Sequence, residues 1–396
     1  MNTNYQIQRT LKGIIKYTLM FILLVFSSLS YSQTTILNLD NSKTSATVVH
    51  DDMQYFTALF TYNEIIASDT ETSNGSYCEI YIPNTFFIGE LGFPKLPASR
   101  KLIEIPFGAE VTIKVLSYTL KEYDLEKFGI TNKIIPVQPS VRKDQDAEMI
   151  PFELNHEIYG KDKYLEYDIA TVDILGVLRN TRMAQLTIAP VSYNPVRNTI
   201  KIYNNIEVEI SFSPADEELN RYIKSSVRSL WFEPVQNMLF NNPGSKDLTF
   251  NDLTKYPVKY LVVAPRMFEA DLQPFIEWKT KKGFEMIVAY TDEIGMDFKS
   301  IQQWIHDQYN SATPDDPAPS FLLLVGDTPL IPSSTGSSTG KSTDLYYASV
   351  DGDYFPEMYY GRFSANNSAE LISQIEKTLY YEQYQLPILL FLTEQL

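Results

Sequence analysis

The spacing of apolar residues changes near position 213, and this change divides the chain into two differently built parts. Before it, apolar residues alternate with polar ones, as in residues 111–115 and 206–213. Strict alternation places one face of a strand against a core and leaves the other face in water. Turn-forming clusters such as residues 194–198 separate these short strands, and no amphipathic helix interrupts them. Residues 33–213 are therefore predicted to form an antiparallel β-sandwich.

After position 257, strands without alternation are interleaved with helices. Three stretches are near-continuous apolar runs, namely residues 259–265, 284–290 and 321–326. Two others have helical spacing, namely residues 269–282 and 298–309. Strands that are buried on both faces are typical of a parallel sheet covered by helices. We predict a partial parallel-sheet α/β subdomain over residues 258–385, so that the fold class is multidomain, β followed by α/β.

Residues 214–257 join the two parts and are interpreted as a linker or activation segment. They contain polar residues and helix breakers, and the candidate sites for an activation cleavage are Lys224, Arg228, Lys246 and Lys255. Exposed basic residues in polar loops are natural sites of proteolytic nicking. An ordinary interdomain linker fits the same residues equally well.

The charge balance and the first residues indicate export from the cytoplasm. The chain holds 33 basic and 49 acidic residues, a net charge of −16, which argues against a non-specific nucleic-acid binder. Residues 1–32 combine a basic start, an apolar run at 19–26 and a serine-rich end, the three parts of a secretory signal peptide. A membrane anchor is the alternative, but the run is about half of the roughly 20 residues that cross a bilayer. We expect a secreted protein without a stable membrane span in its mature form.

Cysteine and histidine are scarce. Cys78 is the single cysteine, which excludes an intramolecular disulfide and a cysteine-rich metal centre, and three histidines argue against a multi-histidine centre. Cys78 lies in the alternating stretch 77–81 without a basic neighbour that would lower the pKa of its thiol. We predict a buried thiol rather than a nucleophile.

An acidic stretch in the second part is the strongest candidate for a functional site. Residues 350–357 contain Asp351, Asp353 and Glu357, with a glycine between the two aspartates. Ca²⁺ prefers several oxygens, from carboxylates and from the carbonyls of a sharply turning loop. Asp327, at the end of a predicted strand, could add a further carboxylate. The spacing is not that of an EF-hand, and a solvated acidic turn or a carboxylate pair for acid–base catalysis are the alternatives.

Short motifs in the second part occur in the same order as in a known family. They are residues 260–265, 275–279, 282–283, 301–303, 323–327, 331–332, 342–347, 353–357 and 361–364. Residues 258–384, which contain them, resemble the first half of the catalytic domain of the gingipain family of secreted cysteine peptidases. The β part resembles the propeptide of that family, including residues 92–97 and 103–106.

The resemblance implies a zymogen with a caspase-like α/β fold. In this family a cysteine thiolate attacks the scissile carbonyl, a histidine is its acid–base partner, and backbone N–H groups stabilise the oxyanion. The family binds Ca²⁺, and its ligands correspond here to the side chains of Asp327, Asp353 and Glu357 and the backbone carbonyls of Val350 and Phe355. The implied partners are protein or peptide substrates for the full-length form, and an intramolecular contact between propeptide and peptidase.

The chain departs from the family in the residues that would perform catalysis. The Gly-His motif and the cysteine that follow later strands in the family have no counterpart here, and residues 386–396 form an atypical tail with an apolar start. We therefore expect a truncated product that lacks the catalytic residues and the cysteine-type endopeptidase activity. The alternative is a secreted binding or inhibitory protein, an adhesive β-sandwich on a Ca²⁺-stabilised scaffold.

Overall fold

The structure, a computed structural model, describes residues 34–40, 43–146, 149–214, 216–241 and 255–383. The predicted signal peptide, Lys246 and the atypical tail at 386–396 lie outside these residues. We call the described residues up to 214 the β domain, residues 216–241 the connector and residues 255–383 the α/β domain.

Antiparallel strands build the β domain. They are β1 (Thr34–Asn38), β2 (Ser45–Asp51), β3 (Tyr55–Thr61), β4 (Glu64–Thr72), β5 (Gly75–Tyr81), β6 (Phe86–Ile88), β7 (Leu96–Glu104), β8 (Glu110–Asp124), β9 (Ala170–Leu178), β10 (Thr181–Ile188), β11 (Val191–Asn194) and β12 (Thr199–Ser213), with the short helix α1 (His156–Gly160) between β8 and β9. The strand orders are β1-β4-β5, β6-β7-β10-β9 and β11-β12-β3-β2, with β8 also paired to β12. The predicted antiparallel β part is thus confirmed.

The alternating residues of β12 explain how these sheets share one core. Along this strand, Ile206, Val208 and Ile210 are fully buried, whereas the residues between them are half-exposed. The buried set joins side chains from the other sheets, such as Ile65 of β4 and Leu186 of β10, in one cluster. The period-two pattern therefore specified which face of each strand is removed from water.

The connector is an ordered segment that packs against both domains. It contains α2 (Glu217–Ser226), a 3-10 turn (Leu230–Phe232) and α3 (Glu233–Gln236). Lys224 of α2 is buried in an ion pair with Glu104 of β7, at 2.5 Å between Nζ and Oε1. Val227 joins the core of the α/β domain. Lys224 is therefore not an exposed cleavage site in this structure.

A parallel sheet forms the centre of the α/β domain. The elements are β13 (Val258–Ala264), α4 (Gln273–Lys281), β14 (Phe284–Tyr290), α5 (Thr291–Ile294), α6 (Phe298–Asn310), β15 (Phe321–Val325), β16 (Ser334–Thr335), β17 (Ser342–Thr343), α7 (Leu345–Ala348), β18 (Tyr359–Phe363) and α8 (Ser368–Glu382). The strand order is β14-β13-β15-β18, with every neighbouring pair parallel, and β16 and β17 form a small separate hairpin. This confirms the predicted parallel sheet.

Helices cover both faces of this sheet. In β13, Leu261 faces one core together with Ile301 of α6, whereas its neighbour Val262 faces another core with Phe275 of α4 and Leu371 of α8. All five side chains are buried. Both faces of a parallel strand must be apolar when helices lie on each side, which is why the sequence shows no alternation here.

Candidate metal centre

The loop that connects α7 to β18 gathers three carboxylates, and we call residues 349–358 the acidic loop. One carboxylate oxygen from each of Asp351, Asp353 and Glu357 lies within 4.8 Å of one from each of the others. The loop turns sharply, with Gly352 at a φ of 82°, in the left-handed region that favours glycine. The two aspartates are thereby brought to the same side as the glutamate.

Backbone N–H groups of the acidic loop orient two of the carboxylates. Val350 N donates to Glu357 Oε2 at 2.6 Å, and Phe355 N donates to Asp353 Oδ1 at 2.6 Å. Val350 and Phe355 therefore lie beside the cluster, as the resemblance requires. The ligand role of their carbonyl oxygens stays a prediction.

Glu357 provides the strongest indication of a cation-binding site. It is 2% exposed, and its Oε1 atom is buried without a hydrogen-bond partner among the described residues. Burial, with the neighbouring Asp351 and Asp353 charges as smaller contributors, raises the pKa of Glu357 to about 8. Burial and then the Asp353 charge raise the pKa of Asp351 to about 6. A buried carboxylate with an unpaired oxygen costs free energy that a bound dication would offset, so the residues fit Ca²⁺.

Asp327 is not part of this cluster. It follows the carboxyl end of β15, where its N–H bonds to Ala365 O, whereas Glu357 precedes the amino end of the neighbouring parallel strand β18. The eight residues between positions 357 and 365 span ~26 Å of extended chain. The expectation that Asp327 shares one cation with Asp353 and Glu357 is therefore corrected. Asp327 lies at the carboxyl ends of the parallel strands, whereas Glu357 lies at their amino ends. The Asp327 carboxylate instead accepts from Thr328 N and Asn366 Nδ2, which lowers its pKa.

The order of strand and acid along the sequence could have revealed this separation. Asp327 comes after a strand and Glu357 comes before one, the stretch 359–363. In a parallel sheet these two positions always lie at opposite edges. Asp351, in contrast, was part of the acidic pattern but absent from the ligand set that the resemblance implied, and the structure adds it.

A second polar group lies near the Asp327 edge. Arg362 of β18 binds Asp344 with two hydrogen bonds, Nε to Oδ2 at 2.8 Å and Nη2 to Oδ1 at 2.6 Å. Its Nη1 donates to the carbonyls of Gly326 and Ile331, each at 2.8 Å. This pair ties the end of β15 to β18, and sequence reasoning had not assigned Arg362 a role.

The β domain touches the acidic loop directly. Val177 N, in β9, donates to Asp353 Oδ2 at 2.6 Å. The preceding Gly176 has a φ of 146°, and a Cβ atom there would collide with the Asp353 carboxylate. The predicted contact between the two parts of the chain therefore includes the candidate metal centre.

Cys78 has the surroundings of a structural thiol. It is 1% exposed in β5, and its Sγ lies 3.7 Å from Glu79 O. Burial, followed by the Asp69 charge, raises the pKa of the thiol to about 12. The exposed fraction confirms the prediction that Cys78 is buried. In the part of the chain that the structure describes, no hydrogen bond joins this thiol to a histidine.

Residues 336–340 read Gly-Ser-Ser-Thr-Gly, the pattern of the serine nucleophile elbow of α/β-hydrolases. That elbow requires a strand followed by a helix. Here the stretch is the connection between β16 and β17, and Gly340 N donates to Gly336 O to close it. The pattern therefore does not mark a serine hydrolase site.

Comparison with known proteins gives two successive family matches. Residues 48–240 match the family described as Propeptide_C25, and residues 253–389 match Peptidase family C25. Lys-gingipain of Porphyromonas gingivalis is 41% identical over 359 residues, which cover 90% of this chain and 21% of that protein. The chain belongs to peptidase family C25. Most of the β domain and of the connector lies within the propeptide match, and the α/β domain lies within the peptidase match.

Other gingipains match the chain at lower sequence identity. Gingipain R1 of Porphyromonas gingivalis is 27% identical over 300 residues, or 75% of this chain and 29% of that protein. A solved structure that concerns the zymogenic latency of gingipain K is 38% identical, covers 46% of this chain and 99% of its own, and has a TM-score of 0.44. The chain spans about a fifth of the length of the Lys-gingipains it matches (21%). Among the residues that the structure describes, none of the helices combines the length and the hydropathy of a transmembrane segment.

Proposed function

We propose that the chain belongs to a secreted zymogen of a Ca²⁺-binding cysteine endopeptidase of the gingipain type. The observation that carries this proposal is the succession of a C25 propeptide match and a C25 peptidase match in one chain. In the structure, Val177 of the β domain binds Asp353 of the α/β domain, as a propeptide that covers its enzyme would do. The N-terminal signature at residues 1–32 supports passage through a secretory route.

The acidic loop is the proposed Ca²⁺ site. Asp351, Asp353 and Glu357 would hold the ion through their carboxylates, and the N–H groups of Val350 and Phe355 already orient two of them. The bound ion would supply positive charge that compensates the exposed Asp351, the half-buried Asp353 and the buried Glu357 carboxylates. Its role in this proposal is structural, because the loop joins α7 to an edge of the sheet and also meets the β domain.

We propose that this polypeptide by itself lacks peptidase activity. Peptide hydrolysis of the family type needs a thiolate with a histidine as acid–base partner. The single cysteine is Cys78, buried in the β domain, and burial favours its neutral thiol form. The role proposed for this chain is that of a propeptide, which masks a peptidase surface. Protein or peptide substrates belong to the active form.

Inhibition of an active gingipain tests this role. Purified chain is titrated into the peptidase, and initial rates of hydrolysis of a short peptide substrate are followed in Ca²⁺ and reductant. We expect saturable inhibition and no turnover by the chain alone. The variant Cys78→Ser is the matched control and should inhibit equally, because the thiol has no role in docking. Absence of inhibition, combined with binding to a glycan or matrix protein, would favour the binding-protein alternative. Thiol-dependent turnover that Cys78→Ser abolishes would overturn the proposal.

A further inference from the structure

An arginine of the β domain is buried inside the contact with the other two segments. Arg179 occupies the two-residue turn between β9 and β10, where Leu178 pairs with Thr181. Its φ is 58°, a conformation that a side chain other than that of glycine adopts only when the surroundings enforce it. Arg179 is 1% exposed, although arginine is almost never fully buried without specific partners.

The guanidinium group finds a complete set of hydrogen-bond acceptors. Nε donates to Val227 O at 2.6 Å. Nη1 donates to Pro319 O at 2.7 Å and Glu357 O at 2.8 Å, and Nη2 donates to Ala318 O at 2.8 Å and Arg228 O at 3.4 Å. A guanidinium group has five N–H donors, so each has a partner, and every partner is a backbone carbonyl. The β domain contributes none of these acceptors.

Two aromatic rings complete the enclosure. The Arg179 Cζ atom lies 5.1 Å from the ring centroid of Phe232, in the connector, and 5.7 Å from that of Tyr309, in α6. Both distances are within the range at which a cation is attracted to the face of a ring. We call the five carbonyls and the two rings the guanidinium socket. Its geometry suits a planar fork of donors, which the single ammonium group of a lysine cannot reproduce.

The same turn also reaches the acidic loop. Val177, two residues before Arg179, donates to the Asp353 carboxylate, and Arg179 itself binds the carbonyl of Glu357. Val177 at the end of β9 and Arg179 in the turn that follows thus contact the same loop. The absence of a side chain at Gly176 is what allows this close approach.

We propose that the guanidinium socket is a binding site for an alkylguanidinium group, that Arg179 fills it in cis, and that this occupancy holds the β domain on the connector and the α/β domain. The proposal deepens the propeptide role proposed above, and it rests on the contact between domains rather than on peptidase activity or on Ca²⁺. An arginine side chain of another chain is the ligand class that the emptied socket would accept.

Chemical rescue tests the socket in the full chain. Arg179→Ala removes two methylene groups and the guanidinium, and ethylguanidinium restores those atoms. We expect a lower melting temperature for Arg179→Ala, and a saturable recovery with millimolar ethylguanidinium after subtraction of its effect on the wild-type chain. Ethylammonium should give no recovery. Equal melting temperatures for Arg179→Ala and wild type, or equal recovery with ethylammonium, would overturn the proposal.

Arg182→Ala is the matched control. The Arg182 guanidinium also binds backbone carbonyls, those of Pro106 and Ala109, at 2.8 and 2.7 Å, but both lie within the β domain. Its loss should lower the melting temperature without any specific response to ethylguanidinium. If Arg182→Ala is rescued as well as Arg179→Ala, the effect is not that of the socket.

Domain association gives a readout that stability alone would not move. A protease site is inserted between residues 242 and 254, the chain is cut, and size-exclusion chromatography follows whether the two pieces stay together. We expect the wild-type and Arg182→Ala pieces to co-elute, and Arg179→Ala to weaken their association about 100-fold, as truncation of a fully buried anchor does. Arg179→Lys, which keeps the charge and most of the stem, covers the case in which the alanine variant does not fold, and it should also dissociate. Co-elution of the Arg179→Lys pieces with wild-type affinity would refute the role of the guanidinium fork, whereas a failure of the peptidase inhibition assay alone would leave this result standing.

Discussion

Addition of Ca²⁺ to chelator-treated protein should stabilise it, and the gain should grow with pH. The reason is the competition between the cation and a proton for Glu357, whose pKa burial raises to about 8 from an ordinary value of 4.5. Because the folded-state pKa is the higher one, the protonated carboxyl favours folding. Without Ca²⁺, that contribution is complete below about pH 4.5 and is lost as the pH rises through about 8.

The size of the effect follows from the same shift. For each pH unit below the pKa, the free energy needed to remove the proton rises by ~1.4 kcal/mol. Binding must displace the Glu357 proton from a group with a pKa of about 8, which is half protonated at pH 8 and almost fully protonated at pH 6. The Ca²⁺ affinity should therefore be ~50-fold weaker at pH 6 than at pH 8. At pH 8, a free Ca²⁺ concentration of 100 times Kd adds ~2.7 kcal/mol, or ~10 °C in Tm if the α/β domain unfolds as a unit.

Calorimetry measures both quantities. Differential scanning gives Tm with chelator and with Ca²⁺ at pH 6 and pH 8, and titration in buffers of different ionisation heat counts the protons released on binding. Asp353→Asn and Glu357→Gln should each weaken binding at least about tenfold, since each removes one charged ligand. Asp327→Asn is the control, because this carboxylate lies at the other edge of the sheet, and it should bind Ca²⁺ like the wild type. A Tm at pH 8 that Ca²⁺ leaves unchanged would refute this reasoning, and so would an equal loss of affinity in Asp327→Asn.

Three further outcomes can be measured on the same chain. Gly176→Ala should lower the free energy of unfolding in urea by ~1–3 kcal/mol, more than Gly75→Ala. Both glycines have positive φ values, but only position 176 also faces a carboxylate of the acidic loop. Equal losses would show that the close approach is not needed. Lys224→Met leaves the buried Glu104 carboxyl without its partner and should lower the free energy of unfolding in urea by ~3–5 kcal/mol. The double variant Lys224→Met/Glu104→Gln should recover part of this loss. A single variant as stable as wild type would contradict the burial of this pair. Cys78 should react with a thiol reagent only on unfolding, because burial raises its pKa to about 12; rapid stoichiometric labelling of native protein would contradict that placement.

Local patterns predicted the elements with good accuracy. The second apolar strand of the α/β domain was expected at residues 284–290, and β14 has these limits. The helix expected over 298–309 is α6, Phe298–Asn310, which begins at the N-cap Asp297. The turn cluster at residues 194–198 joins β11 to β12 as expected. Such features depend on neighbours within a few residues, because alternation, caps and turn residues act through the local backbone.

The metal centre was only partly predictable. The acidic pattern of residues 350–357 correctly brought Asp353 and Glu357 together, because a short turning loop confines its own side chains. Asp327 was expected beside them because it follows a predicted strand and because the resemblance implies it as a ligand. Without β18 recognised as a strand, the sequence did not reveal that Asp327 and Glu357 lie at opposite ends of the parallel strands. The position of a residue before or after a strand decides its edge, and that requires every strand to be known.

The amino-acid sequence by itself determined the class of each part, antiparallel β and then parallel α/β, and the family to which the chain is similar. Only the tertiary structure decided that Val177 meets Asp353 and that Arg179 meets Glu357, pairs 176 and 178 residues apart. The periodicity of apolar residues records which face of an element is buried, since burial acts on every residue of that face. A contact between distant polar groups leaves no such repeat in the sequence, because it involves one residue from each segment and is created by the packing of the whole chain.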